Sequence, residues 1–364
     1  MPGPRRNPSI GLDDNQGDQM RLGIDTFSLR SQGWDAFQII DYAVGLGLEN
    51  VHFSERAHVD GIATESLKRV RVYAEERSLT LELGMRSFNR LSTTFDASLG
   101  SGEQQLIDMI EAATIIGSPI VRCFAGMQGD RAGPEGFDGF FTESVRALKA
   151  AAPHAEAAGI YIAVENHGGV DFLARELVAL IEDVGSPHVR VCLDTGNPMY
   201  AAEDAVEATE ILAPYVVTCH LRDTLVWMTP EGAVAQWVPA GRGSLDIPRI
   251  ATILKAQANA VPLDLEVITG GPPKLIPIYD RDADFWKLYP DMKASSLARF
   301  LETAESGTPG PIDQLIPTQG GTQTSDDQLT AIKQHQLDHF EESLRFVRSV
   351  LGGSAPLVLD SLTL

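Results

Sequence analysis

The chain has 364 residues, 43% hydrophobic and 22% charged, with 29 basic against 50 acidic side chains for a net charge of −21. That is the composition of a globular protein, long enough to bury its own core without a disulfide or a structural metal. So acidic a chain lacks the lysine and arginine surplus that displaces counterions from phosphate backbones or anionic lipid. Sequence-independent nucleic-acid binding and membrane-surface binding are thereby excluded.

Residues 1–19, MPGPRRNPSIGLDDNQGDQ, hold two arginines with no apolar core behind them, which reads as a loosely attached arm and not as a secretory signal. From Met20 onward, short apolar runs alternate with stretches of helical periodicity. The runs are 21–27 (RLGIDTF), 50–54 (NVHFS), 79–84 (LTLELG), 119–124 (PIVRCF), 160–165 (IYIAVE), 189–194 (VRVCLD), 216–221 (VVTCHL) and 263–268 (LDLEVI). Between them, DAFQIIDYAVGL sets Phe37, Ile40 and Val44 on one helical face, and SLKRVRVYAEE does the same for Leu67, Val70 and Tyr73. Eight strand–helix units without a mid-chain linker predict one α/β domain, a single (β/α)8 TIM barrel over residues 20–352. Runs that are apolar throughout, without strict alternation, suit parallel strands covered on both faces.

The chain departs from this repeat once. Residues 271–324 form a long insertion between strand 8 and the last helix, rich in proline and carrying Tyr279, Phe285, Trp286 and Tyr289. The insertion leaves the C-terminal end of a barrel strand, where barrel active sites lie, and reads either as a lid or as an oligomer contact. Ser325 and Gln328 form a capping-box signature for the last helix, whose apolar positions include Leu329, Ile332, Phe340 and Leu344. Residues 353–364 read as a tail. Cys123, Cys192 and Cys219 each sit inside a strand run and read as small buried hydrophobes. With neither a disulfide framework nor a stretch of membrane-span length, a cytoplasmic location is expected.

Polar residues collect where the later strands finish. The fifth run ends in Glu165-Asn166-His167, the sixth in Asp194-Thr195-Gly196-Asn197 and the seventh in His220-Leu221-Arg222; the eighth carries Glu266. In a barrel those ends surround one mouth, so Glu165, Asp194, His220 and Glu266 can converge on one ion. Three buried carboxylates near one another would be costly without a cation to neutralise them. Such an oxygen-rich set suits Mn²⁺ first, with Mg²⁺, Co²⁺ or Zn²⁺ as alternatives.

The series AVENHGG, CLDTGNP, HLRD and LEV, with GRG at 241–243 and the opening LGIDTFS, resembles the xylose-isomerase-like barrel superfamily of sugar isomerases and epimerases. The likeness extends over most of residues 20–350. It implies a (β/α)8 barrel with one catalytic divalent metal on Glu165, Asp194, His220 and Glu266. It also implies that Glu165 and Glu266 act on the substrate carbon and that Arg242 contacts sugar oxygens. Two positions depart from the pattern: Asn197 stands where the epimerases commonly carry histidine, and Arg222 where lysine is common. Both are candidate substrate contacts. His167, beside Glu165, is a candidate acid or base, or else a hydrogen-bond partner of the ligand shell. His52 and Arg122, on the second and fourth strands, are further candidates for the mouth, and Trp286 is placed to stack on an aglycone.

Such a metal, chelated by a carbonyl and its neighbouring hydroxyl, acidifies the adjacent C–H bond. A carboxylate or imidazole takes the proton, and the metal stabilises the enediolate. Return of the proton to the other face gives epimerisation, and return to the next carbon gives isomerisation. Expulsion of a β-substituent gives a lyase. The first expectation is therefore a metal-dependent isomerase or epimerase acting on a neutral sugar or hydroxyketone, a small-molecule carbohydrate or glycoside, as a homo-oligomer. The alternative is a lyase of the same barrel, a dehydratase or a deglycosidase of 3-keto glycosides, some relatives of which use a small partner subunit. An abasic-site endonuclease would need a basic groove and a histidine-rich zinc cluster, against which stand a charge of −21 and only 8 histidines. A non-catalytic scaffold has no use for inward carboxylates.

Overall fold

Residues 20–59, 61–257, 261–310 and 325–352 are described by the computed structural model. The expected arm (1–19), residues 311–324 of the insertion and the tail (353–364) lie outside the described residues. Seven of the apolar runs become β1 (Leu22–Asp25), β2 (Asn50–Phe53), β3 (Thr80–Ser87), β4 (Ile120–Phe124), β5 (Tyr161–Glu165), β6 (Val189–Asp194) and β7 (Val216–Leu221). A hairpin, β8 (Asp223–Thr229) and β9 (Gly232–Val238), precedes the eighth barrel strand, β10 (Leu263–Leu265). All the barrel pairings are parallel, and the barrel closes in the order β1-β10-β7-β6-β5-β4-β3-β2.

The helices follow the strands as α1 (Ala36–Gly45), α2 (Thr64–Glu75), α3 (Gly102–Ile116), α4 (Gly136–Ala158), α5 (Ala174–Val184), α6 (Ala205–Leu212) and α7 (Ile247–Lys255). Local chemistry marks their ends. Asp35 and Gln38 form a capping box at the start of α1, while α3 and α4 stop at Gly117 (φ 83°) and Gly159 (φ 69°), a left-handed conformation that glycine adopts without a Cβ clash. The buried face of α1 is Ala36, Ile39, Ile40 and Ala43, so of the expected face Ile40 is buried, Phe37 half-buried and Val44 41% exposed.

The insertion has its own structure. It contributes β11 (Lys274–Ile276), α8 (Asp284–Leu288) and α9 (Ala294–Ser306) before α10 (Asp326–Val350), which begins with the Ser325–Gln328 capping box. β11 pairs antiparallel with β9, giving a three-stranded sheet with β8. Tyr289 anchors it to the barrel: its hydroxyl donates to the Val170 carbonyl at 2.6 Å and accepts from Gln128 Nε2 at 3.0 Å. Gln128 also accepts from Lys274, so the insertion is tied to the segments following β4 and β5.

Candidate metal centre at the barrel mouth

Glu165 ends β5, Asp194 ends β6, His220 is the penultimate residue of β7, and Glu266 follows β10 directly. These four strands are neighbours in the barrel, and Asp194 is in register with His220. One ligand atom from each residue lies within 4.8 Å of the others, and all four residues are buried. His220 Nδ1 stands 3.3 Å from Glu165 Oε2 and 3.2 Å from Glu266 Oε2. Glu165 Oε1, Asp194 Oδ2, His220 Nδ1 and Glu266 Oε2 are buried and make no hydrogen bond of good geometry among the described residues, although the Arg222 guanidinium is ion-paired with both Asp194 Oδ2 and Glu266 Oε2. Three carboxylates and an imidazole crowded together are costly in a protein interior, and the set fits a divalent cation. Cys192 is close enough to join Glu165 and His220, but burial pushes its thiol up to about 12 and leaves it a poor ligand.

Two guanidiniums share the neutralisation. Arg122 pairs with Glu165, and Arg222 pairs with Glu266 while lying 3.1 Å from Asp194 Oδ2. Burial by itself raises both glutamates. Arg122 with His220 overcomes it at Glu165, and Arg222 with His220 does so at Glu266, holding both below the ordinary carboxylate range. Asp194 is pushed up to about 7 by burial, with the two glutamates adding to the rise and Arg222 opposing it. On its far side, His220 Nε2 faces His52 Nδ1 at 3.2 Å and Asp25 Oδ2 at 3.5 Å, neighbours that fix the ring's orientation.

The remaining expected residues fall in several places. Asn197 donates its backbone N–H to Asp194 Oδ1 at 2.8 Å and its side-chain amide to the Asn166 carbonyl at 3.0 Å, leaving its own Oδ1 without a partner. The Arg222 guanidinium lies 4.9 Å from the Trp237 ring centre, and Trp237 packs on Tyr200. His167 stacks on Phe124 with ring centres 3.6 Å apart, and its Nδ1 lies 3.1 Å from the Gly126 carbonyl. A carbonyl only accepts, so that contact assigns the ring proton to Nδ1 and leaves the lone pair on Nε2. Burial pushes this imidazole down to about 4.

Arg242 is turned elsewhere: half-exposed, it pairs through Nε and Nη2 with Glu342 of α10. The glycines of its GRG segment serve Asp223, whose Oδ2 accepts the backbone N–H groups of Gly241 and Gly243 at 2.9 and 3.0 Å. Trp286 packs edge-on against Phe285 within the insertion. Sequence reasoning missed Asp25, which lies inside the first run but ends β1 just as Asp194 ends β6. It also missed Trp237 and Tyr200, which carry no strand-end signal.

Fold and site together define a barrel of the sugar-isomerase type. The chain belongs to the xylose isomerase-like TIM barrel family, whose profile matches residues 30–289. Among curated proteins it is 24% identical over 191 residues to 3-oxo-isoapionate decarboxylase of Pectobacterium atrosepticum, covering 52% of this chain and 56% of that protein. It is 38% identical over 122 residues to 2-epi-5-epi-valiolone 7-phosphate 2-epimerase of an Actinoplanes species, covering 33% of this chain and 42% of that protein. The chain thus spans about half the length of the curated relatives it matches. In structure it is similar to D-psicose 3-epimerase from Clostridium cellulolyticum H10 with D-tagatose, with a TM-score of 0.58 at 15% identity over 91% of this chain and 99% of that one. A xylose isomerase-like TIM barrel protein from Mycobacterium smegmatis in complex with magnesium gives 0.54 at 14% identity, over 78% of this chain and 96% of that one. These likenesses establish the fold; by name, the relatives include a decarboxylase and two epimerases.

Proposed function

We propose that this chain is a divalent-metal-dependent isomerase or epimerase that removes a proton beside the carbonyl of a sugar-sized hydroxyketone. The observation that carries this reading is the set of four buried ligand atoms brought within 4.8 Å of one another at the ends of four adjacent strands. Glu165, Asp194, His220 and Glu266 would hold the ion, with Mn²⁺ preferred; fold neighbours have been solved with magnesium and with zinc. When bound, a divalent cation supplies Lewis acidity to a carbonyl and its neighbouring hydroxyl.

The chain's own groups do the rest. Glu165 and Glu266, held ionised by Arg122 and Arg222, are the proton acceptors at the reacting carbon. His167 offers the Nε2 lone pair as a further acceptor. Arg222 and Asn197 are candidates to hold substrate oxygens, Asn197 through an Oδ1 that has no protein partner. The insertion, tied down by Tyr289, serves as a cover that limits water at the mouth. A lyase outcome is the second reading, favoured by the relative named a decarboxylase. Among the described residues no helix is long and apolar enough to cross a membrane.

Deuterium exchange tests this reading. Manganese-loaded protein is incubated in D₂O with ketoses, oxo acids and 3-keto glycosides. Deuterium at a carbon beside the carbonyl of intact sugar supports the isomerase or epimerase. Loss of carbon dioxide, water or an aglycone assigns the lyase. Bound metal with no exchange and no elimination across the panel rejects the reading.

A further inference from the structure

We propose that a second divalent cation binds inside the barrel, beneath the mouth, on His52 Nδ1, Glu82 Oε2 and Asp264 Oδ2. These residues lie on β2, β3 and β10, and the proton-transfer reading uses none of them. Each is at most 3% exposed. His52 Nδ1 stands 3.2 Å from Glu82 Oε2 and 3.6 Å from Asp264 Oδ2. Ligands about 2.0–2.1 Å from a tetrahedral ion stand roughly 3.4 Å apart, so these edges suit an ion as well as those at the mouth do.

Three independent features point the same way. The first is donor accounting. The Thr218 hydroxyl serves Glu82 Oε2 at 2.6 Å and lies 3.4 Å from Asp264 Oδ2, and the single hydrogen of His52 Nδ1 is left to face both of these oxygens and His220 Nε2 at 3.2 Å. A cation can serve the imidazole lone pair and both carboxylates together.

The second is a supporting shell. Asn50 Nδ2 donates to Asp264 Oδ1 at 2.7 Å, and Thr218 Oγ1 donates to Glu82 Oε2 at 2.6 Å. Outer hydrogen bonds of this kind orient ligating carboxylates. Room is kept for one of them by Gly23, where an added Cβ would stand 1.9 Å from Asp264 Oδ1.

The third is a neighbouring cavity. Glu82 also lines a cavity of about 280 Å³ with Asn50, Thr80, Arg21 and Pro262, residues at or just before the starts of their strands. The cavity therefore lies toward the end of the barrel opposite the mouth, and Glu82 is the one proposed ligand that borders it. Barrel interiors are ordinarily packed with branched apolar side chains, and a polar layer bordering a cavity is unlike that packing. A mixed nitrogen and oxygen set favours a transition-metal dication such as Zn²⁺ or Mn²⁺.

The test counts ions in the full chain. Protein stripped with chelator is reloaded with Zn²⁺, freed of excess and assayed for metal by mass spectrometry. The wild type should hold about two ions per chain, and the mouth variant Glu165→Gln/Asp194→Asn about one. Glu82→Gln should retain only the mouth ion. Should Glu82→Gln fail to fold, Zn²⁺ added to the mouth variant must still raise its melting temperature. One ion in the wild type, with none in the mouth variant and no thermal shift, would show a closed imidazole–carboxylate network and overturn the proposal. Two ions in folded Glu82→Gln would place the second ion elsewhere and overturn it equally.

Discussion

The barrel holds two buried polar clusters, and they differ in what seats their carboxylates. Beneath the mouth, Asp264 and Glu82 receive hydrogen bonds from the neutral side chains of Asn50 and Thr218. At the mouth, Arg122 pairs with Glu165, and Arg222 with Glu266 and Asp194. The inner carboxylates are oriented by neutral donors on neighbouring strands, whereas the mouth crowds three carboxylates and an imidazole against two arginines. Sites that act on a ligand commonly give up stability in this way. Substitution at the mouth should therefore cost activity and spare the fold, while substitution around the inner cluster should do the reverse.

The largest expected effect follows from Glu266→Gln, which removes a ligand and proton acceptor. Turnover should fall at least about 1,000-fold, while the metal-free protein melts lower but still folds, because Arg222 and His220 lose the carboxylate they pair with. A variant that failed to fold would erase the contrast between the clusters. Gly23→Ala probes the other side. Its Cβ would collide with the Asp264 carboxylate and with Asn50, and overpacking of this kind should cost about 3 kcal/mol in urea unfolding.

Two further variants lie away from both clusters. Tyr289→Phe removes the bond to the Val170 carbonyl and should cost about 1 kcal/mol, with faster proteolysis in the insertion as the readout. Glu203 is raised by burial from 4.5 to about 8, and both of its oxygens face the Ala174 N–H at the start of α5. Its folded form holds the proton more tightly than the unfolded form. The contribution of Glu203 to stability is therefore full below about 4.5 and declines as pH rises toward 8. Glu203→Gln keeps an acceptor for Ala174 and should flatten that decline, measured as unfolding free energy across the same range. An unchanged slope would mean that Glu203 does not carry it.

The mouth was legible because each of its ligands closes, or nearly closes, an apolar run, and eight such runs in sequence order define which ends meet. The inner cluster was not. Glu82 and Asp264 sit inside the runs LTLELG and LDLEVI, where a polar residue looks like any strand position. Which of them meet across the barrel depends on the stagger of the strands, and no single run records it. The β8–β9 hairpin was hidden for a different reason: two apolar seven-residue runs flank Pro230-Glu231, but they follow β7 so closely that they read as its trailing loop. GRG was recognised as a motif and misread in physical terms. Its glycines bring two backbone N–H groups onto Asp223, and Arg242 is free to pair with α10.

The central claim is that the four converging ligand atoms at the mouth bind a catalytic ion. Anomalous diffraction from crystals grown with Mn²⁺ tests it most directly. The account predicts a manganese peak bonded to Glu165, Asp194, His220 and Glu266, absent from crystals of the Glu165→Gln/Asp194→Asn variant. Full occupancy conditions with no peak among these residues, and with Arg122 and Arg222 still seated on the glutamates, would contradict it.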